Sequence, residues 1–250
     1  MLIAQYFIEF IFYSFLGWVW ESIYCTANEK KWADRGFLFG PICPIYGSCV
    51  VVTSIVFSLF PALSDPSFPI WGIFIICYIG SAVAEFGTSW VLEKRFHARW
   101  WDYSHMPLNI QGRICVPVSI AFGVAGVLIV KYLIPFVTDA RALFNPYVTV
   151  FFALVLAMIF GADFALTEAS LNALLKNVEE MHQEFNARAQ DNYEKLASKT
   201  EALAQLYSTR LSFNQKRILG NMKKYIPEKK LSLELAESKQ KLIEHLKSRL

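Results

Sequence analysis

The chain has 250 residues, 55% of them hydrophobic and 16% aromatic, with only 18% charged and a formal net charge of +3. Soluble domains carry about 25% charged residues, and here the charge is also uneven, since residues 167–250 hold 15 of the 24 Lys+Arg and 11 of the 21 Asp+Glu. The first 166 residues therefore have too few ionic groups to solvate a globule, and the small net charge leaves no electrostatic footprint for nucleic acid.

A helix needs about 20 mostly apolar residues to cross a hydrocarbon core about 30 Å thick. Five stretches meet or approach that length: 3–24, 44–60, 70–92, 114–134 and 146–166. The opening MLIAQYFIEF has no basic flank and no small-residue cleavage site, so the first stretch is expected as a retained helix. The second stretch is the shortest. Proline marks breaks at PALSDPSFP (61–69) and across 135–146. Cys25, Cys43, Cys49, Cys77 and Cys115 fall inside this apolar part with no CxxC pair, which fits buried thiols better than zinc or redox chemistry. The expected fold class is all-α: a polytopic membrane bundle of about five transmembrane helices over residues 1–166, with a helical tail over 167–250.

Basic residues set the expected orientation. Lys30, Lys31 and Arg35 lie in the 1–2 connection, and Lys94, Arg95, Arg99 and Arg113 in the 3–4 connection. The 2–3 connection has none, and the 4–5 connection has Lys131 and Arg141. The positive-inside rule then places both odd connections and the tail in the cytoplasm, with the N-terminus outside a plasma membrane. In the tail, Leu171, Leu174, Val178, Met181 and Phe185 follow helical spacing, so the fifth helix is expected to continue. A further set, Leu196, Leu203, Leu206 and Arg210, extends the pattern, Gly220 and Pro227 interrupt it, and a second helix is expected over 229–249.

The odd connections hold the residues with chemistry. One reads KKWADRGFLFGPICPIYG (30–47), and the other EKRFHARWWDYSHMPLNIQGRIC (93–115). Interfacial aromatics often form only a belt, which accounts for Trp32 and one of the tandem Trp100 and Trp101, but not for the concentration of ionisable groups beside them, His97, Arg99, Asp102, His105 and Arg113, near Tyr103. Glu21 and Glu85 are acids inside the apolar sequence. Glu21 shares a helix face with Ser14, Gly17 and Trp18, and Glu85 lies one turn beyond Ser81. An ionised carboxylate at the bilayer centre costs about 2.5–3.5 kcal/mol on insertion scales, so such groups face the bundle and pair. Either they form salt bridges to Arg35, Arg99 or Arg113 that pin a loop, or they form a site for a cation, a proton or a polar substrate. Asp163 and Glu168 are read as interfacial. The candidate site residues are Glu21, Glu85, Glu93, Arg35, Arg99, Trp100, Trp101, Asp102, Asn109 and Arg113, and no metal set or cofactor motif stands out.

A gapless offset of 72 residues relates the two odd connections. Trp18 matches Trp90, Glu21 matches Glu93, and Gly40, Ile42 and Cys43 match Gly112, Ile114 and Cys115. The first hairpin thus reads as a parallel repeat of the second, an arrangement found in transporters with the site at the repeat interface.

GWVWESIY (17–24), RGFLFGPICPIYG (35–47) and LEKRFHARWWDYSHMPLNIQGRIC (92–115) resemble the CmpB-like family of type IV ABC-transporter permeases, over about residues 6–135. That resemblance implies a transport component. No GxxxxGK[ST] loop is present, so an ABC role implies a separate ATPase subunit, and five helices imply a homodimer or a second membrane subunit. Two alternatives remain open. One is a membrane-embedded enzyme for a lipid or polyprenyl substrate, using Glu85, the 100–103 segment, His105 and Arg113 for acid–base chemistry and phosphate binding. The other is a membrane scaffold or sensor that signals through the tail.

Overall fold

The five apolar stretches are helices in the computed structural model, which describes residues 1–30, 32–65, 67–189, 211–221, 224–225 and 244. The elements in order are α1 (Leu2–Glu29), α2 (Pro44–Leu59), the single turn α3 (Pro61–Ser64) and α4 (Ile70–Phe96). Three short strands follow, β1 (Ala98–Arg99), β2 (Asn109–Ile110) and β3 (Ile114–Cys115), before α5 (Val116–Leu128). A π-helical turn over Ile129–Leu133 joins α5 to α6 (Ile134–Arg141), and α7 (Pro146–Ala189), α8 (Phe213–Asn221) and β4 (Lys224–Tyr225) complete the set. Among the described residues four spans are long and apolar enough to cross a membrane, at Leu2–Asn28, Ile70–Phe96, Val116–Arg141 and Pro146–Asn177, and α2 is a shorter apolar helix. The chain is an all-α integral membrane protein.

One expected break is absent. The fourth span does not end at Pro135 but continues to Arg141. Proline in a helix interior removes a backbone donor and crowds the preceding turn. Here the π-helical turn just before α6 opens the ladder, so that Pro135 sits in the first turn of α6. Wider turns of this kind let a helix absorb a proline without stopping. The fifth helix begins at Pro146 as expected and runs for 44 residues, well past the apolar stretch. Helix α8 ends one residue after Gly220. The stripe from Leu196 to Arg210 and the helix expected over 229–249 lie outside the described residues, apart from Glu244.

Two compact units divide the chain: residues 1–90 with 103–164, and residues 91–102 with 165–250. In the first, glycines bring the helices together. A Cβ at Gly17 would lie 2.4 Å from the Tyr46 ring, and one at Gly47 would lie 2.3 Å from the Phe10 carbonyl, so α1 and α2 touch backbone to side chain. Gly123 and Gly126 do the same between α5 and α4, against Phe74 and Cys77. Phe160 of α7 packs edge-on against Phe7 and Phe10 of α1, and Tyr46 of α2 meets Phe122 of α5. Close packing through small residues is how membrane helices associate where lipid removes the hydrophobic drive. Near the start of α1, buried Glu9 accepts a hydrogen bond from Arg141 at 3.0 Å, and the same guanidinium lies over the Tyr6 ring.

In the second unit Thr167, Leu171, Leu174 and Ile218 are buried. Arg95 pairs with Glu168 and Arg99 with Glu93. The β1 strand pairs antiparallel with β4, aligning Arg99 with Lys224. The tail thus contributes a strand to the 3–4 connection.

Candidate functional site

The 1–2 connection does not stay at the end of α1; it folds back along it. The Cys43 amide donates to the Ser14 carbonyl at 2.9 Å, and Ser14 stands fifteen residues before the end of α1, or about 22 Å back along the axis at 1.5 Å per residue. This re-entry explains why α2 has only 16 residues. A helix of that length spans about 24 Å, and the entering loop supplies the remaining depth.

Irregular backbone at membrane depth must have its amides satisfied by protein. Here the Ala33 amide donates to Thr26 Oγ1, and the Arg35 amide to the fully buried Ser22 hydroxyl. The amides of Phe39 and Gly40 both donate to the Asp163 carboxylate, each at 3.0 Å. The Trp18 indole N–H holds Asp34 at 2.9 Å, and Leu38 closes the core of the loop at 1% exposure. Asp163 is therefore a docking point for the loop.

The 3–4 connection re-enters beside α4 in a related way. Its β2–β3 hairpin turns at Gln111 and Gly112, both with positive φ (54° and 67°), closed by the Arg113 amide on the Ile110 carbonyl. Two consecutive left-handed residues define a type I′ turn, the form whose twist matches paired strands. Asn109 staples the loop: its side-chain amide donates to the Met106 and Ser104 carbonyls, and its Oδ1 accepts from Gly112. Asn109, a candidate site residue from sequence, thus acts within the loop. Arg113 is buried, donates to the Ser89 hydroxyl and Gln111 Oε1, and lies 5.5 Å from the centre of the Phe86 ring.

Both loops deliver polar groups to one centre. Glu85, eleven residues before the end of α4, is 6% exposed, and its Oε1 accepts from the Tyr103 hydroxyl at 3.4 Å. Its Oε2 is buried with no hydrogen-bond partner among the described residues. A bidentate pair with Arg113, the arrangement expected for a guanidinium in lipid, is therefore not formed. Glu21 accepts a hydrogen bond from the Cys43 thiol, Sγ to Oε2 3.8 Å, and lies in the field of Arg35. Tyr46, in the first turn of α2, is within electrostatic reach of Glu21, Glu85 and Tyr103. Burial, then the Glu85 and Glu21 carboxylates, push the Tyr103 phenol well above its ordinary range and keep it a neutral donor. Cys43 and Cys115, 72 residues apart, occupy the same place in the two hairpins. Each is buried, extended, and the N-cap of a helix with proline in its first turn.

The remaining sequence candidates belong to the second unit. Glu93 and Arg99 form an ion pair there, Trp100 packs edge-on against Phe96, and Trp101 and Asp102 are half-buried. His105 is exposed. Among the described residues no group of three or more His, Cys, Asp or Glu is gathered as metal ligands would be. Of the groups that build the centre, Tyr46 and Ser89 carry no signal in the sequence beyond their helical positions.

A family model described as "Putative ABC-transporter type IV" matches residues 8–168, which covers both hairpins, the centre and Asp163. No curated protein and no solved structure matches the chain significantly.

Proposed function

Because the chain belongs to the type IV ABC-transporter family over residues 8–168, we propose that it is the membrane-spanning permease subunit of a transport complex driven by a separate ATPase. The observation that carries this reading is the convergence of two re-entrant loops on a pair of acids at membrane depth, Glu21 and Glu85. Buried intramembrane carboxylates mark substrate or ion pathways. Discontinuous helices that begin inside the bundle are the usual frame of transporter sites. Helix α2, starting at Pro44 directly after Cys43, whose amide bonds to Ser14, is such a helix.

In this reading the α1–α2 and α4–α5 hairpins are a parallel repeat, and the centre lies where their loops meet. Residues 1–166 form the membrane domain and 167–250 a cytoplasmic tail, with the N-terminus outside the plasma membrane. The clusters Lys30, Lys31, Arg35 and Lys94, Arg95, Arg99, Arg113 support that orientation. Four or five spans are few for a complete path, so the working unit is a homodimer or includes a second membrane subunit. The chain has no P-loop, and ATP hydrolysis is assigned to a partner.

The test is purification of the tagged full-length protein from its native membrane after mild cross-linking, followed by quantitative mass spectrometry. A P-loop ATPase recovered in fixed ratio is the expected result. Its absence, with a lipid-modifying activity in the pure protein instead, would overturn the transport reading in favour of the membrane-enzyme alternative.

A further inference from the structure

We propose that the centre between the two re-entrant loops binds a monocation of the primary-ammonium type, with Glu85 Oε2 as its counter-charge. The inference deepens the transport reading by naming a ligand class, and it rests on that reading only for taking this centre as the working site.

The open position follows from the side chains. Glu21 is already served, since the Cys43 thiol donates to it and Arg35 is the basic group that acts on it. Glu85 has the Tyr103 hydroxyl on one oxygen, and the other acid of the centre, Glu21, lies in its field. Its Oε1 is taken by the Tyr103 hydroxyl, while Oε2 is fully buried with no donor among the described residues. Such an oxygen is costly to leave unmet in a low-dielectric interior. The centre therefore lacks a hydrogen-bond partner at one identified atom, a carboxyl oxygen.

The donor set selects the kind of cation. A bare calcium or magnesium ion asks for about six to eight oxygen ligands, and among the described residues no three His, Cys, Asp or Glu side chains are placed so that they could hold a metal ion. An ammonium group needs less. One carboxylate oxygen meets an N–H at charge-assisted strength, and aromatic faces attract the rest of the cation. The rings of Tyr46 and Tyr103 stand at this centre. Gly17 makes room for the first of them, because any side chain there would occupy the Tyr46 ring.

The test is thermal unfolding of the purified full-length protein in detergent, titrated with methylammonium chloride while sodium chloride keeps ionic strength constant. The wild type is expected to show a Tm that rises with the logarithm of methylammonium above a threshold, the signature of a ligand bound to the folded state. Glu85→Gln is expected to lose the rise, and Asp65→Asn, in the exposed 2–3 connection, to keep it. Tyr103→Phe frees Glu85 from its holding bond and is expected to move the midpoint several-fold, which keeps the test decisive if Glu85→Gln fails to fold. The proposal is overturned by equal responses in wild type and Glu85→Gln. It is also overturned if sodium substitutes fully for methylammonium, or if Tyr103→Phe behaves as wild type. None of these outcomes touches the ATPase partner, so failure of the ligand class and failure of the transport reading remain distinguishable.

Discussion

Single acids in this protein do different work according to what faces them. Glu9 is neutralised by Arg141, Glu21 sits with a thiol and an arginine field, Glu85 keeps one oxygen open, and Asp163 receives two backbone amides. The sequence exposes Glu21 and Glu85, because an acid inside an apolar run is conspicuous by composition. It does not expose Asp163, whose partners are main-chain groups more than 120 residues away and leave no mark in side-chain identity. Nor does it expose Glu9, which lies close enough to the N-terminus to pass for an interfacial residue. Hydrogen bonds to a charged group are worth about 1.5–3 kcal/mol each. Asp163→Ala is therefore expected to destabilise the protein by at least that much, read as a clear fall in Tm by size-exclusion fluorescence after heating. A Tm equal to wild type would mean that the 1–2 loop is held elsewhere. A second contrast tests burial: Arg113→Ala strips Ser89 and Phe86 of a buried guanidinium and is expected to cost more than Asn109→Ala, which loosens a half-exposed turn.

At the scale of elements, hydrophobic length located the starts of the five helices within a few residues, because lipid thickness dictates where an apolar stretch must begin. Two features escaped that reasoning. The fourth span runs through Pro135, since a π-helical turn can absorb a proline that would stop an ordinary helix. The shortness of α2 was legible, but its cause was not: the missing length is supplied by a loop that re-enters the bundle, and loop depth depends on distant amide partners. The packing of α1 on α2 gives a sharp expectation. Gly47→Ala would drive a methyl group to within about 2.3 Å of the Phe10 carbonyl, and overpacking of this kind costs about 1–3 kcal/mol or more. Gly161→Ala and Gly80→Ala meet nothing within 4 Å, and replacing a helical glycine there is expected to be neutral or mildly stabilising. Equal melting temperatures for Gly47→Ala and Gly161→Ala would show that the two helices do not pack through this contact.

For the whole molecule, composition separated a charge-poor membrane part from a charged tail. The compact units divide the chain differently, grouping residues 91–102 with 165–250 through the Arg95–Glu168 pair and the β1–β4 strands. Strand pairing of two residues each is below the resolution of any sequence pattern. The proposed orientation predicts that, in a cysteine-free background, a membrane-impermeant maleimide added outside cells labels Ser64→Cys and spares His105→Cys until the membrane is opened. The reverse pattern would invert the topology and, with it, the side from which the centre is loaded. The measurement that bears most directly on the central claim is the ATP hydrolysis rate of the purified permease–ATPase complex in lipid nanodiscs, compared between wild type, Glu85→Gln and Asp65→Asn. The account predicts that all three assemble with equal ATPase content, that Asp65→Asn hydrolyses as wild type does, and that Glu85→Gln loses most of the transport-coupled rate. An assembled Glu85→Gln complex with full wild-type activity would contradict it.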